Sequence, residues 1–207
     1  MKIAVIGANG RSGQAFVVAA LAAGHTVRAG VRSMVAMPAH DRLSLVTCDA
    51  TKAPDILDLI ADQDAVVSLI GHVKGSPPHL QAEATQLLIN AMQTRGLKRL
   101  VSLTGTGVRF PGDDITLLDR ILNMSIMLID PARVRDGRDH VRLLDKSQLE
   151  WTVLRVLKLQ NIAARPFRLT LNGPTKTIVG RAEVAEAILE VLEKDEFSRQ
   201  APMISRP

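Results

Sequence analysis

The chain has 207 residues, 46% of them hydrophobic, enough for one well-buried core and short for two domains of ordinary size. A formal net charge of +5 favours anionic partners, yet with no tyrosine, one tryptophan and four phenylalanines the chain lacks the stacking platforms of a single-strand or RNA binder, so a small phosphorylated cofactor ranks ahead of nucleic acid. The one cysteine, Cys48, excludes an internal disulfide and any multi-cysteine metal site.

The first predicted strand, Ile3 to Ile6, follows Met1 and Lys2 with no signal-peptide layout, and no run of about 18 apolar residues occurs anywhere. A cytoplasmic protein without a membrane partner is expected. The strand runs into Gly7-Ala8-Asn9-Gly10-Arg11-Ser12-Gly13, after which Ser12 to Ala23 reads as a helix. A tight turn out of a strand needs Gly7, close backbone approach to a pyrophosphate needs Gly10, and close packing of helix on strand favours Gly13. Free N–H groups and the positive end of the helix dipole complete an anion cradle at Gly7, Asn9, Gly10, Arg11, Ser12 and Gly13. The alternative is a glycine-rich turn that binds nothing.

The second strand, Thr26 to Val31, carries no acid to grip a ribose 2′-hydroxyl. Arg32, with Arg11 as a second cation, suits a 2′-phosphate, so NADP is expected ahead of NAD; otherwise Arg32 is a solvated loop charge. After the third strand, Leu43 to Thr47, Asp49 and its neighbour Ala50 stand where an adenine amino group is met, although a turn or cap role suits Asp49 equally. A helix over Pro54 to Ala61 and a strand over Ala65 to Ile70 follow. Pro77 and Pro78 then mark the start of a helix over His79 to Thr94. A strand over Leu100 to Thr104, a long helical region from Asp113 to Gln148 and a strand over Trp151 to Val156 come next. Strand alternating with helix predicts a doubly wound, mostly parallel α/β sheet of Rossmann type in a single domain, residues 1–207, covered on both faces. Arg168 to Leu171, a turn at Asn172-Gly173-Pro174, a helix over Ala182 to Leu192 and a strand over Pro202 to Ser205 read as late additions to that sheet.

The glycine turn, the Val31-Arg32 strand end, Cys48-Asp49-Ala50-Thr51, Val67-Ser68-Leu69-Ile70-Gly71, Val101-Ser102-Leu103-Thr104-Gly105, Trp151-Thr152-Val153-Leu154-Arg155 and the helix start Gly180-Arg181-Ala182-Glu183-Val184-Ala185 occur in that order. Together they resemble the atypical short-chain dehydrogenase/reductase families, in particular the NAD(P)-binding group with NmrA-like proteins and the flavin and biliverdin-IX-beta reductases. The resemblance implies that Leu69, Ile70 and Gly71 run beside the cofactor's ribose and pyrophosphate, and that Thr104 stands near the nicotinamide. It also implies substrate-side elements within about 105–180, with Lys158 near a polar position that faces the substrate. The family's usual Tyr-x-x-x-Lys pair is excluded, because the chain contains no tyrosine. Flavin reduction needs little beyond holding two rings in reach, so its absence does not remove activity.

Three candidate catalytic groups each have a plainer reading. Thr104 either bonds the nicotinamide or a substrate carbonyl, or satisfies its own backbone. Lys158 either attracts an anionic acceptor or edges a loop. His140 either transfers a proton or lies on a solvated helix face. The histidines show no ligand spacing, so no metal is expected. Asp113 to Asp130 is more apolar than one buried stripe requires; it roofs a substrate pocket, forms a subunit interface or packs into the core. The leading expectation is an NADP(H)-dependent oxidoreductase that moves hydride to a planar acceptor such as a flavin, as a monomer or homodimer; the competing one is a non-catalytic NADP sensor of NmrA-like type.

Overall fold

The computed structural model describes residues 1–33, 37, 39–72 and 75–207. Its elements run β1 (Lys2–Ile6), α1 (Arg11–Ala22), β2 (Thr26–Val31), β3 (Leu43–Thr47), α2 (Ala53–Leu59), β4 (Ala65–Ser68), α3 (Leu80–Arg95) and β5 (Arg99–Gly105). The second half continues with α4 (Leu117–Ile129), α5 (Pro131–Lys146), β6 (Glu150–Val156), β7 (Lys158–Gln160), β8 (Arg168–Thr170), β9 (Ile178–Gly180), α6 (Arg181–Glu193) and β10 (Met203–Ser205).

Eight strands make one sheet in the order β3-β2-β1-β4-β5-β6-β10-β8, parallel except that β8 runs antiparallel to β10. The order reverses between β1 and β4, and in open parallel sheets the crevice at such a reversal, beyond the carboxyl ends of the strands, is where ligands bind. The strands read as nearly unbroken apolar runs because each feeds two cores. Ile3 and Val5 enter one with Phe16, Val184 and Ile188, while Ala4 and Ile6 enter the other with Ile56, Leu88 and Leu144. Helices α1 and α6 therefore cover one face, and α2, α3 and α5 the other.

The expected single α/β domain of Rossmann type is what the chain forms. One expectation needs correction. The long helical region over Asp113 to Gln148 is two helices, broken where Asp130 caps α5 by accepting a hydrogen bond from the Arg133 N–H and Pro131 takes the first position of that helix. The late segments Arg168 to Leu171 and Pro202 to Ser205 do join that sheet, as β8 and β10, while β7 and β9, which the sequence reading does not predict, pair in parallel as a separate two-stranded sheet.

Candidate functional site

The glycine turn has the shape its residues require. Gly7 has φ +78°, and a methyl group there would lie 2.9 Å from the Leu69 carbonyl oxygen. At Gly13 the same methyl would sit 2.2 Å from the Gly7 oxygen and 2.7 Å from Ala8 Cα, so α1 packs on the turn at a distance only glycine permits. The Gly10 N–H donates to the Gly7 oxygen at 3.0 Å and the Gln14 N–H to the Gly10 oxygen at 2.8 Å. No side chain caps α1 and its first turn holds no acid, which leaves the first N–H groups free for an anion.

From this turn a cleft of about 480 Å³ opens across the ends of β4, β5 and β6. Gly10, Arg11, Ser12, Leu69, Ile70 and Gly71 form one wall, and Thr104, Val108, Val134, Gly137 and Leu157 the other. Among the described residues, the cations Arg11, Arg133, Lys158 and Arg181 line it together with His72, and no carboxylate does. Burial, and after it the charge of Arg11, lowers the pKa of Arg181. Its Nη1 donates to Asn161 Oδ1 at 2.7 Å, whereas its buried Nε has no partner among the described residues. Two cations held this close, one with an unused donor, form a site that an anion relieves.

The predicted residues divide by position. Gly10, Arg11, Ser12, Leu69, Ile70, Gly71, Thr104 and Lys158 line the cleft, with Gly7, Asn9 and Gly13 in the turn beside it. Arg32, Asp49 and Ala50 lie outside it, at the ends of β2 and β3 farther along the same sheet edge. Asp49 accepts from the Thr51 N–H at 3.0 Å and the Thr51 hydroxyl at 2.8 Å. These bonds, with Lys52 and Arg32 adding charge, hold its carboxyl below the usual range. Thr104 stands inside β5, is 8% exposed, and among the described residues its hydroxyl has no hydrogen-bond partner. It is not the self-satisfied turn hydroxyl of the plainer reading.

His140 corrects an expectation. It is 1% exposed and does not line the cleft, because α5 packs against α3 and β5 at this point. The Thr85 hydroxyl gives its proton to the Gln81 carbonyl, so its oxygen accepts from His140 Nδ1 at 2.7 Å, and His140 Nε2 then accepts from the Ser102 hydroxyl at 2.9 Å. Burial pushes the pKa of this neutral ring down to about 4, against a smaller upward pull from Asp136. Because the folded state resists protonation and the unfolded state does not, His140 supports the fold fully above pH ~6.5 and loses that support as pH falls towards 4. In urea unfolding, wild type is expected to lose on the order of 2 kcal/mol more than His140→Gln between pH 7 and pH 5. Equal losses would contradict the assignment.

Core packing of the apolar region is also corrected. Within α4 only Asp119 is buried; Leu117, Leu128 and Ile129 are 74%, 80% and 84% exposed, and Ile121 and Met124 are exposed too. The helix is apolar on most of its circumference, and its place at the cleft rim, where Asn123 and Ile126 line the opening, gives it one packed side. Gln81, Asn123, Arg133, Gly137, Arg181 and His72 were missed as site residues. Residues 71–72 and 181 did carry a signal, since each follows a strand end at the sheet edge where such clefts form.

A glycine turn feeding an uncapped helix at a sheet reversal, beside a cleft of cations, defines a dinucleotide-binding protein of Rossmann type. The sequence model of the NAD(P)H-binding family matches residues 7–195, and the chain belongs to that family. A Bacillus subtilis protein, YwnB, is 26% identical over 214 residues, covering 97% of this chain and 96% of its own. The 3-beta-hydroxysteroid dehydrogenase of Mycolicibacterium neoaurum is 29% identical over 133 residues; that match takes in 58% of this chain and 36% of the longer enzyme. Among solved structures, a short-chain dehydrogenase/reductase of Veillonella parvula in complex with NADP superposes with a TM-score of 0.84 at 17% identity, over 100% of this chain and 94% of that one. A Streptococcus pneumoniae protein provisionally named an NADH-flavin reductase gives a TM-score of 0.80 at 22% identity, with both chains fully covered. Among the described residues no helix is long and apolar enough to cross a membrane.

Proposed function

We propose that this protein is an NADP(H)-dependent reductase that passes hydride to a planar small-molecule acceptor held in the cleft. The observation that carries the proposal is the lining itself: Arg11, Arg133, Lys158 and Arg181 line the cleft beside the glycine turn, and among the described residues no carboxylate does. The turn and the α1 N-terminus hold the pyrophosphate, aided by Arg11 and Arg181. Leu69, Ile70 and Gly71 follow the ribose, Asp49 and Ala50 flank the adenosine side, and Arg32 takes the 2′-phosphate. Bound reduced nicotinamide supplies the hydride. The chain's own work is to orient: the Thr104 hydroxyl, unpartnered among the described residues, fixes a carboxamide or carbonyl, Lys158 steadies the negative charge that hydride brings to the acceptor, and the apolar walls exclude water. The NADP-bound relative and the flavin-reductase name of another agree with this reading.

Loss of reduced-nicotinamide absorbance when NADPH is mixed with protein and flavin, biliverdin or quinone is the test; no oxidation with any of the three would remove the reductase reading. For cofactor choice, Arg32→Ala is expected to weaken NADPH binding by about 10- to 100-fold while leaving NADH binding unchanged, the worth of one or two charged hydrogen bonds. Equal effects on both cofactors would refute the role given to Arg32. One observation favours the second reading, a dinucleotide sensor: the exposed apolar α4 borders the cleft, where cofactor state could reach a partner protein. Tight NADPH binding without turnover would select it.

A further inference from the structure

His72 is a histidine with no part in the scheme above, and its surroundings are built rather than incidental. It follows Gly71 at the end of β4 and lines the cleft, with its side chain 10% exposed. Its Nε2 lies 2.6 Å from Asp136 Oδ2. Asp136, on α5, is 0% exposed and also accepts from the Gln81 N–H and the Ala82 N–H, both at 2.8 Å. A carboxylate with those donors can only accept from His72, so the Nε2 nitrogen carries a proton in every charge state of the ring. Nδ1 has no partner among the described residues and is the nitrogen left to exchange protons. Asp136 is in turn locked by the start of α3, and the Gly137 backbone beside it packs so tightly that a methyl there would lie 2.9 Å from Thr104 Oγ1. One turn of α5 thus fixes the imidazole's partner and borders the free hydroxyl of Thr104.

We infer that His72, positioned by Asp136, is the proton donor for the acceptor, and that the acceptor is a conjugated carbonyl of quinone type. This rests on the reductase reading and deepens it. Hydride transfer to a flavin leaves an anion that is stable in neutral water and needs no acid. Transfer to a conjugated carbonyl leaves a basic oxygen, and a positioned acid there is worth about 10²- to 10⁴-fold. One quinone oxygen takes the hydride with its electron pair from reduced nicotinamide, both C=O π bonds rearrange into the aromatic ring, and the second oxygen, left anionic, takes the proton from Nδ1. A hydroquinone and oxidised dinucleotide remain, and water reprotonates Nδ1. Arg11, Arg133, Lys158 and Arg181 line the same cleft, and His140 couples to Asp136, so the pH response belongs to this set as well as to His72.

The test compares wild type with His72→Gln using NADPH, menadione and FMN. Calorimetry is expected to give both proteins the same NADPH affinity within about twofold. The variant is expected to lose about 100-fold or more in kcat for menadione, with the fall of activity at high pH removed, and little or none for FMN. Independently of turnover, nitrogen NMR of the imidazoles is expected to show His72 as the Nε2–H form, with Nδ1 shifting when menadione is added to the NADP⁺ complex. An Nδ1 resonance unmoved by menadione, or unchanged menadione kcat and pH profile in His72→Gln, would overturn the proton-donor role while leaving the reductase reading intact. Failure of wild type to bind NADPH would instead overturn the reading beneath it.

Discussion

Gly13→Ala is expected to abolish measurable NADPH binding and to lower stability by about 1–3 kcal/mol. The added methyl would meet three backbone atoms: the Gly7 oxygen at 2.2 Å, Ala8 Cα at 2.7 Å and the Ala8 oxygen at 2.7 Å. No side chain can swing away to relieve these contacts. Either the turn opens or α1 slides outward, and both separate the N–H groups at the start of α1 from the turn that completes the cradle. Because each 1.4 kcal/mol is about tenfold in affinity, loss of two such charge-assisted contacts reduces binding by roughly 100-fold or more. Calorimetry and a thermal melt on the same sample check both parts. Wild-type affinity in a folded Gly13→Ala protein would show that the dinucleotide does not sit at this turn.

Arg155→Leu is expected to cost about 3–5 kcal/mol, the usual penalty for breaking a buried ion pair from one side. Arg155 is 1% exposed in β6, and its guanidinium serves three segments at once. Its Nε donates to the Ala201 carbonyl at 2.7 Å, Nη2 to the Leu171 carbonyl at 2.7 Å and Nη1 to Asp113 Oδ2 at 2.6 Å, while Phe110 stacks on it at 4.7 Å. Removing it takes the cation from the buried Asp113 carboxylate, which keeps the Phe110 N–H at 2.9 Å, and removes the guanidinium donor from two carbonyls. Arg155→Lys is expected to recover little, since an ammonium cannot span the same fork of acceptors. Chemical denaturation measures the cost, and a loss below about 1 kcal/mol would mean that these contacts contribute little net stability.

Much of this was legible in the sequence because it is local. The longer parallel strands, β1 to β6, are apolar runs that announce themselves, whereas the three-residue β7 and β9 leave no such run, and the glycine turn is dictated by clashes within a handful of neighbouring residues. The break at Pro131 was also local, yet a continuous apolar and charged pattern on both sides masked it. The rest depends on partners distant in sequence. His140 sits among charged residues and looks solvated, but Thr85 and Ser102, from other elements, enclose it. His72 and Asp136 are 64 residues apart, and nothing in either segment indicates the other. Arg181 opens a helix in the sequence and becomes a cleft cation only once α6 packs beside α1. The exposure of α4 was hidden for the opposite reason, since apolar composition suggests burial and only the assembled chain shows what remains uncovered.

The most direct test of the central claim is calorimetric titration of the purified protein with NADPH and then, separately, NADH. Saturable binding of NADPH, tighter than NADH and abolished by Gly13→Ala, is the predicted result; no heat of binding with either dinucleotide would contradict the account from the glycine turn upward.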